Sequence, residues 1–272
     1  MKKRSASTVI LILVFLVGLS LLLYPTLSDY WNSLRQNQAI SEYTQQVAEL
    51  DNDRYEQVWA AAREYNRTLT EKANRYRITE EERAEYESLL NVSGNGVIGY
   101  IEIPRIKCSL PVYHGTDEAV LQIAIGHIEG SSLPVGGTGT HCVLSGHRGL
   151  PSAKLFTDLD QLVVGDEFLL RILDEVLTYE VDQILVVEPQ QVEALSIDPE
   201  RDYCTLVTCT PYGINTHRLL VRGHRVETQE KEAVRVGADA VQIRPVEVAP
   251  VIAAPILLLL LLGLQIKTRR RK

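Results

Sequence analysis

The strongest constraint on this chain is a run of 19 residues without a charge, Ala6 to Tyr24, preceded by Lys2, Lys3 and Arg4. Roughly 20 apolar residues span a bilayer as a helix, so this run reads as a transmembrane signal-anchor over residues 6–24 behind a basic cytoplasmic end, residues 1–5. A cleaved signal peptide is the alternative, although no A-x-A-like site follows. A second apolar segment, residues 248–266, contains Pro250 and Pro255 but is nearly pure leucine from Ile256 to Leu264. A basic tail follows at 267–272. Basic residues outside both segments orient both ends to the cytoplasm and everything between to the outside. The expectation is a two-pass protein of the cell membrane with an extracellular body.

That body is acidic. Without the eight basic residues at the two ends, 20 basic residues face 35 acidic ones, a balance that disfavours a nucleic-acid partner. The four cysteines (108, 142, 204 and 209) form no C-x-x-C and sit in no His/Cys cluster, so no metal site is expected. Cys108, Cys142 and Cys204 lie in apolar or β-like runs and read as small core residues.

Three zones follow one another along the body. Residues 25–96 read as a helical, membrane-proximal segment with a lid-like linker. Ile40, Tyr43, Val47 and Leu50 recur at helical spacing, as do Tyr55, Val58, Trp59, Ala62 and Tyr65. Asp53 with Glu56 resembles a capping box, Thr79 with Glu82 starts a third helix, and the link from Lys72 to Ile78 reads as loose. From Val97 the pattern changes to short β-rich runs: 97–103, 107–113, 140–144, 167–173, 176–187, 203–208 and 217–221. Short helices are expected at 118–123 and 153–162. Many short strands with long connections favour a closed β-barrel or a sandwich. The barrel domain is placed at 97–228, with a charged linker at 229–247.

The stretch TLVTCTPYGINTHRLLVRG sets Cys209 at a strand end, turns through Pro211 and Gly213, and returns with Arg218. Thr205, Val207 and Cys209 share one strand face, and Arg218, Leu220 and Arg222 share one face of the next. If the loop closes a hairpin, a guanidinium stands beside a thiol. A cysteine nucleophile also needs a base and a donor for an oxyanion. Six histidines compete for the first role: 114, 127, 141, 147, 217 and 224. His147 is favoured because Leu144-Ser145-Gly146-His147-Arg148-Gly149 ends a strand in glycines. Spacing alone leaves an ordinary strand cysteine and a surface arginine as the commoner explanation.

SGHRGLPSAKLFTDLDQL together with TLVTCTPYGINTHRLLVRGHR resembles the sortases, in particular the class C, pilus-building sortases of Gram-positive bacteria. GYIEIPRIKCSLPVYHGT and GHIEGSSLPVGGTGTH extend the likeness from about Gly96 to Val226. The resemblance implies a mainly β fold, a closed barrel of about eight strands with an N-terminal helical segment and two membrane helices. It assigns His147, Cys209 and Arg218 as catalytic, with Thr208, His217 and Ser145 in supporting or substrate-binding roles. It also implies cleavage of an LPXTG-like signal at Thr–Gly through a thioacyl enzyme that a pilin lysine amine resolves, with no cofactor and no metal. A sortase that anchors surface proteins to cell-wall precursor, and a non-catalytic membrane scaffold for pilins, are the alternatives.

Class C relatives usually carry a lid with an Asp-Pro-aromatic motif. Here ANRYRITEEERAEYE has none, which leaves Tyr76 and Arg77 as the candidate lid residues. Deleting 72–78 is therefore expected to change the rate of peptide cleavage little, and a large rise in that rate would show a working plug.

Overall fold

The computed structural model describes residues 6–72 and 74–228, and the chain divides into two units, 28–228 and a second formed by 1–27 with 229–272. Of the second unit only 6–27 are described, as the apolar first part of helix α1 (Ala6–Ala48). Among the described residues α1 is the one helix long and apolar enough to cross a membrane, with a mean hydropathy of 2.5 over its most apolar window. The expected second span and the linker before it lie outside the described residues. The boundary expected after Tyr24 is not a helix end, because α1 continues through Pro25. A proline inside a helix removes one main-chain hydrogen bond. The contacts of the later turns outweigh that loss.

Those contacts belong to the barrel unit. Tyr43 is fully buried; its hydroxyl donates to the Ile98 carbonyl at 3.1 Å and accepts from the Leu173 N–H at 2.8 Å. Helix α2 (Asn52–Leu69) follows after a short link, and its N-cap is Asp51, which accepts from the Arg54 N–H at 2.8 Å. The box expected at Asp53 and Glu56 is displaced by this earlier cap. Trp59, Ala62, Tyr65 and Leu69 form the apolar stripe of α2 and are all buried in the main core. Asn66 lies on the same face without penalty, because its amide bonds both main-chain groups of Leu133, at 3.0 and 2.7 Å. A buried amide is tolerated when its donors and acceptors are met in this way. Helix α3 (Glu80–Ser88) has the expected capping box between Thr79 and Glu82.

The link before α3 is tied down rather than loose. Arg75 donates to the Leu195 carbonyl at 2.6 Å, and Lys72 pairs with Glu82 at 2.8 Å. The Arg75 carbonyl comes so near Gly130 (φ +81°) that an added Cβ would sit 2.2 Å from it. Only glycine fits there.

Eight strands close a barrel: β1 (Val97–Ile103), β2 (Cys108–His114), β3 (Ile125–His127), β4 (Thr140–Ser145), β5 (Glu167–Ile172), β6 (Glu175–Val187), β7 (Asp202–Thr210) and β8 (His217–Val226). Their order around the wall is β1-β2-β3-β4-β7-β8-β6-β5. β2 with β3 and β4 with β7 are parallel, and the other neighbours are antiparallel. Of the eight, β3 escapes the sequence pattern because three residues are too few to show alternation. The helix at 118–123 appears as α4 (Glu118–Leu121). The helix expected at 153–162 does not form; Leu155 takes φ +38°, which no right-handed helix allows, and only a 3-10 turn at Leu159–Gln161 remains.

Alternation divides the strands between two apolar clusters. Phe168, Leu170, Tyr179, Cys204, Leu206, Leu219 and Val221 fill the main core. Val143, Val207 and Leu220 point the other way and pack with Leu195 from the β6–β7 connection, joined by Leu185 and Val187. The β6–β7 connection thus covers part of the outer wall. It also holds His141, whose ring nitrogens lie 2.8 Å from the Ser196 carbonyl and 2.7 Å from the Thr205 hydroxyl.

Burial pushes the His114 and His141 imidazoles down to about 4 from their ordinary 6.5. The folded state therefore binds fewer protons than the unfolded state between those values. This contribution is complete above pH 6.5 and is lost as the pH falls toward 4. The urea midpoint of unfolding is expected to fall between pH 7 and pH 5, by less when His141 is replaced by Gln. An unchanged midpoint would show that these rings titrate normally.

Candidate active site

Cys209 lies one residue from the end of β7, and the hairpin to β8 closes as the alternation anticipates. Cys209 is the register partner of Arg218, and Thr210 of His217. By alternation along β7 and β8, Cys209 and Arg218 continue the face of Val207 and Leu220, which belong to the outer cluster. The thiol therefore sits at the rim end of the outer face of the wall, not over the barrel interior. Val187 of β6 is the other register partner of Arg218 and extends the same face.

The Arg218 guanidinium donates to the carbonyls of Asn215 and His217, at 3.3 and 3.1 Å, and makes no ion pair among the described residues. Its positive charge is thus positioned by neutral main-chain groups and remains available to an anion. His217, beside it, is only half-buried and its Nδ1 lies 2.9 Å from the Thr216 hydroxyl. Among the described residues no hydrogen bond joins its ring to Cys209.

His147 reaches the same rim by a different route. Ser145, the last residue of β4, is the register partner of Val207, and the Gly146 N–H donates to the Val207 carbonyl at 3.1 Å. Thr208, on the inward face and 2% exposed, donates its hydroxyl to the Gly146 carbonyl at 2.8 Å. Both main-chain groups of Gly146 are thereby fixed to the strand that carries Cys209. Thr208 thus ties the Gly146 turn to β7 from the buried side of the strand. Ser145 ends the strand on the outer side, half-buried.

The other three cysteines are free thiols. Burial pushes Cys108 up to about 12 and Cys204 well above the ordinary thiol range. Such groups stay protonated and unreactive. Among the described residues no cluster of His, Cys, Asp or Glu has the arrangement of a metal site.

Tyr76 and Arg77 are exposed, and among the described residues no hydrogen bond, ion pair or ring contact joins either to Cys209, His147 or Arg218. They lie instead where the link meets Gly130 and Leu195. A cavity of about 530 Å³ opens in that region, lined among others by Leu69, Arg75, Tyr76, Glu193 and Ile197.

Four residues at the rim are not singled out by spacing: Arg148, Asp160, Thr210 and Tyr212. Arg148 follows His147 directly, its side chain is 9% exposed, and it pairs with Asp160. The signal available in the sequence is an arginine inside a glycine-flanked strand end with an aspartate 12 positions on, which is weak without the fold.

A family model described as the sortase domain matches residues 101–226. Sortase D of Bacillus subtilis is 30% identical over 131 residues, covering 47% of this chain and 63% of that protein, so the chain spans less than two thirds of this curated relative. Sortase C1 from Streptococcus agalactiae is 52% identical in a superposition with TM-score 0.68 that covers 70% of this chain and 99% of that one. The sortase C of Clostridium perfringens, solved with its C-terminal cell wall sorting motif, is 42% identical with TM-score 0.62, over 70% of this chain and 99% of that one.

Replacing Thr208 by Val keeps its shape but leaves the Gly146 carbonyl without that donor. A loss of about 1–3 kcal/mol in stability is expected from the unmet group, together with a slower reaction of Cys209 with iodoacetamide. Wild-type values for both would mean that the Thr208 bond does not hold the loop.

Proposed function

This chain belongs to the sortase family of cysteine transpeptidases, and from that premise we propose that it is a class C enzyme joining sorting-signal proteins to an amine. The observation that carries the reading is the pairing of Cys209 with Arg218 in one register step, beside a His147 loop bonded to the same strand.

In this reading the Cys209 sulfur, its proton transferred to His147, attacks the carbonyl carbon of the threonine in an LPXTG-like signal. The oxygen becomes an oxyanion, and Arg218, without a carboxylate partner among the described residues, supplies the charge that steadies it. As the intermediate collapses the Thr–Gly C–N bond breaks, and His147 gives its proton to the departing glycine amine. The threonine is left as a thioester on Cys209. An incoming amine then loses a proton to His147, attacks the thioester and releases the thiol. A pilin lysine is the acceptor proposed, supported by 43% identity to a sortase C of Streptococcus pneumoniae whose structure bears on pilin substrate specificity. A sorting peptide as donor is supported by the relative solved with such a motif. The apolar helix α1 suits a membrane anchor, and a two-pass protein with an extracellular barrel is the topology proposed from the basic ends.

The full chain in detergent, mixed with an LPXTG-type peptide and a lysine-bearing pilin domain, is expected to give a thioester on Cys209 and an isopeptide product by mass spectrometry. Cys209→Ala is expected to abolish the adduct. Arg218→Ala is expected to slow its formation by about 100-fold or more while circular dichroism still reports a folded barrel. A thioester that passes only to a cell-wall-type amine would replace the pilin acceptor by cell-wall anchoring. No adduct from the folded wild type would favour the scaffold.

A further inference from the structure

Between the two proposed catalytic loops lies a side chain that neither the family resemblance nor the reaction scheme employs. Arg148 follows His147 and is almost wholly buried, yet it carries a charge. Its guanidinium pairs with Asp160, whose side chain is 46% exposed, and its Nη1 lies 3.4 Å from the hydroxyl of Thr210, the residue after Cys209. Its Cζ stands 5.8 Å from the ring centre of Tyr212, on the same hairpin loop. The Arg148 Nε is buried and has no hydrogen-bond partner among the described residues.

Gly149 closes the arrangement. It takes φ +76°, and an added Cβ would lie 2.9 Å from the Tyr212 ring. The main chain after Arg148 is thus pressed against the aromatic side chain that the guanidinium overlies.

A buried charge is costly unless it is paired and bonded. Surface burial alone gives no reason to keep an arginine here. What this arginine does is connect: one planar group touches the next residue after the proposed nucleophile, the loop aromatic beyond it, and the segment that follows the proposed base. We propose that Arg148 is a positioning residue, a clasp anchored by Asp160 that fixes the distance between His147 and Cys209 by bridging their two loops. The proposal rests on the catalytic reading of His147 and Cys209. It assigns Arg148 no contact with substrate.

The clasp differs from packing in what it transmits. A misplacement of about 1 Å between reacting groups costs up to 100-fold in rate, whereas substrate contacts made away from the clasp are left as before. Arg148→Gln in the full chain in detergent is expected to slow thioacyl formation about 10- to 100-fold with KM within about twofold. Asp160→Asn, at the exposed end of the clasp, leaves the buried core unchanged and is expected to give a smaller loss in the same direction. The double variant is expected to be no slower than Arg148→Gln alone, since both break one device. Arg148→Lys keeps the charge but not the fork, and is expected to restore little.

A second readout needs no sorting peptide. The pH midpoint for alkylation of Cys209 by iodoacetamide is expected to shift when His147 is replaced by Ala, and to shift less in the Arg148→Gln background. Equal shifts in both backgrounds, or multiplicative losses from Arg148→Gln and Asp160→Asn, would overturn the clasp and leave Arg148 as packing. So would rates within twofold of wild type for the folded single variants. A wild type that forms no thioester but retains the His147-dependent difference in alkylation would overturn the substrate reading while the clasp stands.

Discussion

The site depends on the parallel pairing of β4 with β7. Six register pairs, from Thr140 with Asp202 to Ser145 with Val207, carry both strands toward the same rim. Two strands far apart in sequence thus deliver a histidine loop and a cysteine to one place. An antiparallel pairing would send them to opposite ends. Cys142 and Cys204 face each other inside this pair, at 2% and 0% exposure. Small apolar side chains at that step let the strands pack against a core crowded by Phe168 and Tyr179, whose rings stack at 5.6 Å. Larger side chains there would overfill the interior, a change that costs cores about 1–3 kcal/mol.

Two arginines at the rim show how the same group is given opposite tasks. Arg148 is buried, paired with Asp160 and stacked on Tyr212, so its charge is already answered. Among the described residues Arg218 is bonded only to the carbonyls of Asn215 and His217, so no carboxylate there answers its net charge. The first suits holding and the second suits receiving an anion. The sequence motif separates Arg218 from Arg148, but the partners that answer one charge and not the other come only from the fold.

The local features of the chain are the ones that sequence alone reveals. Helical spacing marks the faces of α1 and α2, alternation marks seven of the strands, and the Cys209–Arg218 hairpin follows from counting across its loop. What stays hidden depends on contacts distant in sequence. β3 is three residues long and is defined by its neighbours on either side. The 153–162 segment has helical-looking apolar spacing, but Leu155, Phe156 and Leu159 are each drawn into the core from a chain that is not helical. The cap of α2 moved from Asp53 to Asp51 because either aspartate can accept, and the packing of Trp59 and Tyr65 sets where the first turn must lie. Which side of the wall holds Cys209 follows only from the two clusters, because a strand buried on both faces has no contrast to read.

The outer-wall position of the thiol separates two kinds of change open to the chain. The barrel interior is filled by one set of residues, while part of the outer wall is covered by the β6–β7 connection, fastened through Leu195 in the outer cluster, the Leu195 carbonyl that accepts from Arg75, the Ser196 carbonyl on His141 and the Arg201 carbonyl that accepts from the Gly139 and Thr140 N–H groups. Provided those footholds are kept, the exposed remainder of that connection can be rewritten without disturbing the ladders of the barrel. Variation can accumulate there while the core stays constant, so a lineage built on this plan can diversify the outer face of its barrel at little expense to its folding.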